Sequence, residues 1–439
     1  MKTILILFLC AANLAVFAQD KPAEQPRPAA VAADQADLRR ESFEKVWRTV
    51  KEKHFDPSLG GVDWDMVHER YSLLLPEVKS DQELYDLLQR MLGELKQSHF
   101  RIISPDAVVN NNNSESFSGW IGIDLRMIDG QAVISRVEPD SPAAKAGLRT
   151  GFLLAQIDDK SLDQLGAEVK ERMAKQKESA VMADFVTVRL LRSHINGKPG
   201  TRVSLKYLDE HDKTHAVTVE REVRKGEFSQ PFGNFPAQFT EFETKRLPGG
   251  IGYFRFNVWV VSQMEKLRSA LKEMKDAPGI IIDVRGNPGG LGGMASGLAG
   301  LLDTRQFSLG TMHLRSGYQN FVAFPQENAY TGPLAILIDF GSASTSEVFA
   351  AGMQEAGRAV IVGERSVGAA LPSVFEKLPT GALFQYAIAD FKTPKGVLVE
   401  GHGVIPDVEV KPTRAALLEG QDAPLEAAVD EIKRKAQPR

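Results

Sequence analysis

Three serines crowd one short stretch, Gly341-Ser342-Ala343-Ser344-Thr345-Ser346-Glu347. An apolar run, Leu334-Ala335-Ile336-Leu337-Ile338, precedes it and reads as a buried strand. A helical pattern with Val348, Phe349 and Met353 follows, and a second apolar run, Ala359-Val360-Ile361-Val362, comes after it. A serine on such a strand-to-helix turn stands at the mouth of a sheet, beside the unpaired N–H groups of a helix start. Those groups suit a developing oxyanion, so the chemistry on offer is attack on a carbonyl. Spacing does not choose among Ser342, Ser344 and Ser346, and the pattern Gly-x-Ser-x-Gly is not met. Serines at helix starts also serve as plain caps.

A nucleophilic serine needs a base and an oxyanion pocket. Arg285-Gly286-Asn287-Pro288-Gly289-Gly290-Leu291-Gly292-Gly293 is a second loop between an apolar strand and a helix. It lacks the Gly-Lys-Ser/Thr ending of a nucleotide loop. Its glycines instead let backbone N–H groups approach a reacting carbonyl. His99 lies just past a helical stripe (Leu84, Leu87, Leu88, Met91, Leu92, Leu95) announced by Ser80-Asp81-Gln82-Glu83, a capping box. Near the end, Glu400-Gly401-His402-Gly403 offers a carboxylate that can orient an imidazole, and a rival histidine between glycines. His54 continues an apolar helix face, while His194, His211 and His215 have no metal-ligand spacing; all four read as structural or surface residues. No His-Glu-x-x-His is present, which argues against a zinc protease, and no metal or cofactor is expected.

The elements that position these residues alternate strand and helix from residue 251 onward, which implies a mostly parallel α/β core. A helical region precedes it, with Phe43, Val46, Trp47 and Val50 at helical spacing. A polar break at 110–116 reads as a linker, and alternating strands follow. The 439 residues are 43% hydrophobic and 25% charged, with a net charge of −4. That balance fits a globular protein of two or three domains and argues against a dedicated nucleic-acid binder. Residues 1–18 have the basic start, apolar core and small-residue end of a secretory signal, too short for a retained membrane span. The single cysteine, Cys10, lies inside that segment, so the mature chain needs no disulfide. A periplasmic or secreted bacterial protein is expected.

Two resemblances sharpen this reading. Gly119-Trp120-Ile121-Gly122-Ile123, the short motif Ser141 to Leu148, and the strand after Gly200-Thr201 resemble a PDZ domain. By that resemblance, Gly119, Trp120, Ile121, Gly122 and Ile123 would take a peptide by strand addition. Departures are Gly151-Phe152 in place of Gly-Asp and a long helical stretch, 163–196. The order of the whole set, with Arg285 to Gly290, Gly341 to Glu347 and Glu400 to Asp407, resembles the C-terminal-processing (tail-specific) serine peptidases.

That resemblance implies Ser344 as nucleophile and the N–H groups of Thr345 and of Gly289 or Gly290 as the oxyanion hole. It implies a multi-domain α+β chain with a crotonase/ClpP-like α/β core. The expected division is signal 1–18, flexible linker 19–36, helical region 37–109, PDZ-like domain 114–222, peptidase core 223–413 and helical tail 414–439. Protein or peptide substrates are expected, with no nucleic acid. The processing peptidases pair their serine with a lysine; here Ala369 stands at that position, and Lys377, Lys392 and Lys395 are misplaced. A sister branch, resembling the tricorn core protease at Ser98-His99 and at Glu400, uses histidine as base and glutamate to orient it. By that resemblance His99 is the base and Glu400 its partner. The competing reading is an inactive peptidase homologue that serves as a PDZ-bearing binder.

Overall fold

The computed structural model describes residues 28–105, 119–175, 179–224 and 226–436. The expected signal segment and the 110–116 break lie outside them. The centre is a six-stranded sheet in the order Phe242–Arg246, Gly252–Phe256, Ile280–Asp283, Leu334–Ile338, Val360–Gly363, Val408–Glu409. The first pair is antiparallel and all later pairs are parallel. Ile280–Asp283 and Leu334–Ile338 are buried at every position, because helices cover both faces of the sheet. Ile280, Ile282, Ile336 and Ile338 pack with Phe349 and Met353 of the helix Thr345–Glu355. The alternate residues Ile281, Ala335 and Leu337 pack on Ala428 and Ile432 of the tail helix Ala423–Ala436. The apolar runs read as strands thus face two ways, and the tail helix closes one side.

The N-terminal helices Pro28–Lys53, Trp64–Ser72 and Asp81–Gly93 share one core with the centre of the molecule. Phe43, Val46, Leu84, Leu88 and Met91 pack on Phe384, Tyr386 and Ala387. The chain then adds the strand Arg101–Ile103 to Leu383–Ala387, with Arg101 opposite Gln385. Asp63 and Ser80 cap the second and third helices through their side chains. The first helix begins at Pro28, not near residue 37 as expected. Its opening turns, Pro28-Ala29-Ala30-Val31-Ala32-Ala33, place proline at the first position and then strong helix formers. The helix thus starts within the segment read as a linker, 19–36.

A middle unit carries its own sheet, in the order Ile123–Ile128, Gln131–Val137, Leu153–Ile157, Arg202–Leu208, Thr214–Glu220. The one-turn helix Pro142–Lys145 is capped by Ser141 and stopped at Gly147, whose φ is +84°. The long helical stretch is two helices, Leu162–Lys175 and Ala180–Ile195. The second of these bridges two regions. Val188, Leu191 and Ile195 enter the middle unit's core. Val181, Met182 and Phe185 lie on Ala343, Val367 and Ala369 of the central unit. Arg126 of the middle sheet is buried and donates to Asp339 (3.0 Å) and Glu364 (2.7 Å) of the centre. No helix among the described residues is long and apolar enough to cross a membrane.

Candidate active site

The structure separates the three serines that spacing left equal. Ser342 is fully buried, donating to Val284 O at 2.8 Å and accepting from Asp339 N–H at 3.0 Å. Ser346 is also buried, donating to Asn287 O and accepting from Trp259 Nε1–H. Both hydroxyls are committed to holding the turn. Ser344 alone keeps part of its surface open. Its backbone sits at φ 53°, ψ −117°, outside the wells that an L-residue ordinarily fills. Five of the other described non-glycine residues with positive φ are Asp or Asn, which tolerate it locally. A serine held there carries strain of order 1–3 kcal/mol, which persists only where the surroundings over-determine it.

Those surroundings are specific. Ser344 N–H donates to Ala369 O at 2.9 Å and to Glu347 Oε2 at 3.0 Å. Glu347 is fully buried and also accepts from Ser366 Oγ (2.5 Å), Gly368 N–H (2.7 Å) and Ala369 N–H (3.0 Å). Burial pushes its carboxyl up to about 7, against the pull of these hydrogen bonds and with help from the charge of Glu400. Sequence reasoning passed over Glu347, although Ser344-x-x-Glu347 is itself a capping-box spacing.

The glycine loop is stitched to the serine turn. Asn287 O accepts from Ala343 N–H (3.1 Å) and Ser346 Oγ (3.0 Å), and Thr345 Oγ1 donates to Gly290 O (3.0 Å). A Cβ on Gly289 would lie 2.7 Å from Ser344 Cβ, so only glycine lets the loop come this close. Gly289 N–H is already bonded to Asn287 Oδ1 at 3.0 Å. Among the described residues, the N–H groups of Gly290 and Thr345 have no acceptor.

His99 and Glu400 approach from opposite ends of the chain. Glu400 Oε1 accepts from Ser98 N–H (2.8 Å), and Oε2 accepts from Ser98 Oγ (2.9 Å) and Ala370 N–H (2.9 Å). Ser98 Oγ lies 2.7 Å from His99 Nδ1. With its one proton given to the carboxylate, Ser98 Oγ accepts from Nδ1–H, which leaves the lone pair on Nε2. The expectation had Glu400 orient the imidazole itself; these bonds pass through Ser98. His99 also has positive φ, +62°. Burial holds its imidazole well below the ordinary range, at about 3, and the nearby cations Arg101 and Arg189 add to this.

Ala369, which the resemblance set at a lysine position, is buried in the apolar patch under the bridging helix. Its neighbours still serve through their backbone: Gly368 and Ala369 donate to Glu347, and Ala370 donates to Glu400. The rival His402 is exposed, its Nδ1 against Glu400 O. His54 is buried between Asp56 and Gln97. No cluster suited to a metal ion occurs among the described residues.

Of the residues read as a peptide groove, Trp120, Gly122 and Ile123 line a cavity of about 130 Å³ with Arg192 and Arg224. Ile121 is instead buried in the core, and Gly119 pairs with Gly197. Asp124 and Arg192 form an ion pair at 3.0 Å between the first strand of the unit and the bridging helix.

Comparison with known proteins places this geometry in a class. Residues 250–410 match the model of peptidase family S41, and residues 36–93 match the tricorn protease C1 domain. Carboxyl-terminal-processing peptidase 3, chloroplastic, of Arabidopsis thaliana is 26% identical over 374 residues, 83% of this chain and 67% of that one. Carboxy-terminal processing protease CtpB of Bacillus subtilis is 24% identical over 408 residues, 91% of this chain and 74% of that one. The solved photosystem II D1 C-terminal processing protease superposes with a TM-score of 0.58 at 22% identity, covering 91% of this chain and 97% of that one. The protein is a serine-type peptidase. Along most of its length it is similar to carboxyl-terminal-processing peptidases, and two of its segments match the S41 peptidase and tricorn C1 models.

Proposed function

We propose that the chain is an exported endopeptidase that cleaves protein substrates through an acyl-enzyme on Ser344. The observation that carries this is the selection among serines: Ser342 and Ser346 are consumed structurally, while Ser344 is strained and open. His99 Nε2 takes the Ser344 proton as Oγ attacks the scissile carbonyl. Gly290 and Thr345 N–H groups receive the oxyanion; Gly289, whose N–H is spent, shapes the approach instead. The imidazolium then protonates the leaving amine, and water deacylates the serine by the same route. Ser98 and Glu400 fix the tautomer and support the imidazolium charge. Export rests on the signal-like residues 1–18.

The middle unit, read as PDZ-like, serves substrate binding or gating. Its bridging helix lies on Ala343 and Ala369, on either side of Ser344 in the hydrogen-bond pattern. Peptide binding that tilts this helix would alter access to the serine. Phe185→Ala should therefore change basal turnover of a short peptide, and unchanged turnover would count against gating. Cleavage of an unstructured protein by the wild type and not by Ser344→Ala tests the activity itself. Intact substrate after prolonged incubation with folded wild type would favour the binder reading.

A further inference from the structure

The segment from Arg414 to Asp422 is fastened to a different region at each end. At its start, Arg414 grips the middle unit. Its Nε donates to Gly151 O (3.0 Å), and its terminal nitrogens donate to Asp212 Oδ1 (2.5 Å) and Asp209 O (2.6 Å). Leu418, at the other end of the short helix Arg414–Leu418, packs on the middle unit's core. A Cβ on Gly151 would lie 2.6 Å from Leu418 Cγ and 2.9 Å from its backbone N. Gly151-Phe152, the departure from the PDZ pattern, is therefore the seat of this helix. The glycine leaves room for Leu418, and Phe152 stacks on Tyr207 in the same core.

At its end, Asp422 grips the glycine loop. Arg285 donates through Nη1 to Asp422 Oδ1 and through Nη2 to Asp422 Oδ2, both at 2.8 Å. The same guanidinium donates through Nε (3.0 Å) and Nη2 (2.6 Å) to the fully buried Asp283. A planar fork held by carboxylates on two edges has little freedom left. Arg285 opens the loop that runs to Asn287, Gly289 and Gly290. Asp422 also starts the tail helix, its Oδ1 accepting from Leu425 N–H at 3.2 Å. Between the two grips the backbone is closed. Gly420 N–H donates to Leu417 O and Gln421 N–H to Ala416 O, with Gly420 at φ +74°, the paired bonds of a Schellman turn. A turn closed in this way is stiff, so a displacement at one end is passed to the other.

Resting on the peptidase reading, we propose that Asp422 is a positioning residue for the glycine loop, and that residues 414–422 are a strap that holds this loop in register with the middle unit. Asp422 acts through Arg285, not on the substrate. What it sets is where the Gly290 N–H points, and that donor meets an oxyanion that exists only at the transition state. Loss of the strap therefore falls on kcat and leaves KM in place. An ion pair that merely holds the fold together would lower stability and leave kcat unchanged.

The test uses the full chain and a fluorogenic peptide, with unfolding in denaturant measured alongside. Asp422→Asn keeps an oxygen for the helix start and removes the paired carboxylate from Arg285. Its kcat should fall about tenfold or more, with KM within about twofold of the wild type. Arg414→Gln, at the other end of the strap, should show the same pattern at roughly three- to tenfold. The double variant should lose no more than Asp422→Asn alone, because a strap cut once carries nothing. An unchanged kcat in Asp422→Asn with a lower denaturant midpoint makes the pair structural and overturns the proposal. Losses that multiply in the double variant also overturn it. Should Asp422→Asn fail to fold, hydrogen exchange in Arg414→Gln decides. Faster exchange of the amides of 286–290 supports the strap, and unchanged exchange overturns it. All these outcomes leave the peptidase reading standing. No cleavage by the wild type, together with no labelling by a fluorophosphonate, removes that reading and the positioning role with it.

Discussion

Glu347 and Glu400 flank the same five-residue segment, Ser366-Val367-Gly368-Ala369-Ala370, and treat it differently. Glu347 accepts four hydrogen bonds, all from the turn and this segment, and is sealed from water. Its carboxylate fixes the unusual backbone of Ser344. Glu400 takes one amide of the segment, Ala370, and accepts twice from Ser98, which reaches His99. It remains half-buried. One carboxylate holds the shape of the Ser344 turn, and the other is turned toward Ser98 and His99. The difference teaches that two acids beside one serine turn can have separate tasks, and what their oxygens touch decides which.

Substitutions can break this contrast. Glu400→Gln should lower kcat/KM by a factor on the order of 10² to 10⁴, because a neutral amide supports the imidazolium poorly and can favour the wrong tautomer. Its melting temperature should move little. Ser98→Ala removes the relay while leaving the carboxylate, so a smaller loss is expected, roughly ten- to a hundredfold, seen in steady-state peptide hydrolysis. Loss in Ser98→Ala as large as in Glu400→Gln would mean that the two act strictly as one unit.

Glu347→Gln should show the opposite pattern, acting first on stability. An amide presents one oxygen and one NH₂ to four donors, so at least one donor loses its acceptor. A destabilisation of about 2–4 kcal/mol is expected by denaturant unfolding. The smallest effect is a pH dependence. Glu347 titrates near 7 in the folded chain, against an ordinary value of 4.5. Between these values the folded state binds the extra proton, so wild-type stability should fall as pH rises from 4.5 to 7, relative to Glu347→Gln. Below this window and above it the difference should be flat. A difference that grows with pH would reverse the sign of the shift.

Much of the fold was legible because its strands are unusually plain. Leu334–Ile338 is an uninterrupted apolar run, and the structure gives the strand those same bounds. The stripe Leu84 to Leu95 likewise announced its helix through periodicity and a cap. The choice among the serines was not legible, because the deciding facts are long-range: Ser342 meets Val284 and Ser346 meets Trp259. Ser98 was equally hidden. A serine beside a histidine has no signature of a relay until residue 400 is folded against it. That the methyl group of Ala369 would seat a helix from the middle unit was not legible either.

The central claim is that Ser344 is a nucleophile activated by His99. Labelling of the full chain with a fluorophosphonate tests it most directly, with Ser344→Ala and His99→Ala in parallel. The account predicts labelling of the wild type, none in Ser344→Ala, and a rate lower by orders of magnitude in His99→Ala. Labelling that persists in Ser344→Ala, or that proceeds unchanged in His99→Ala, would contradict it.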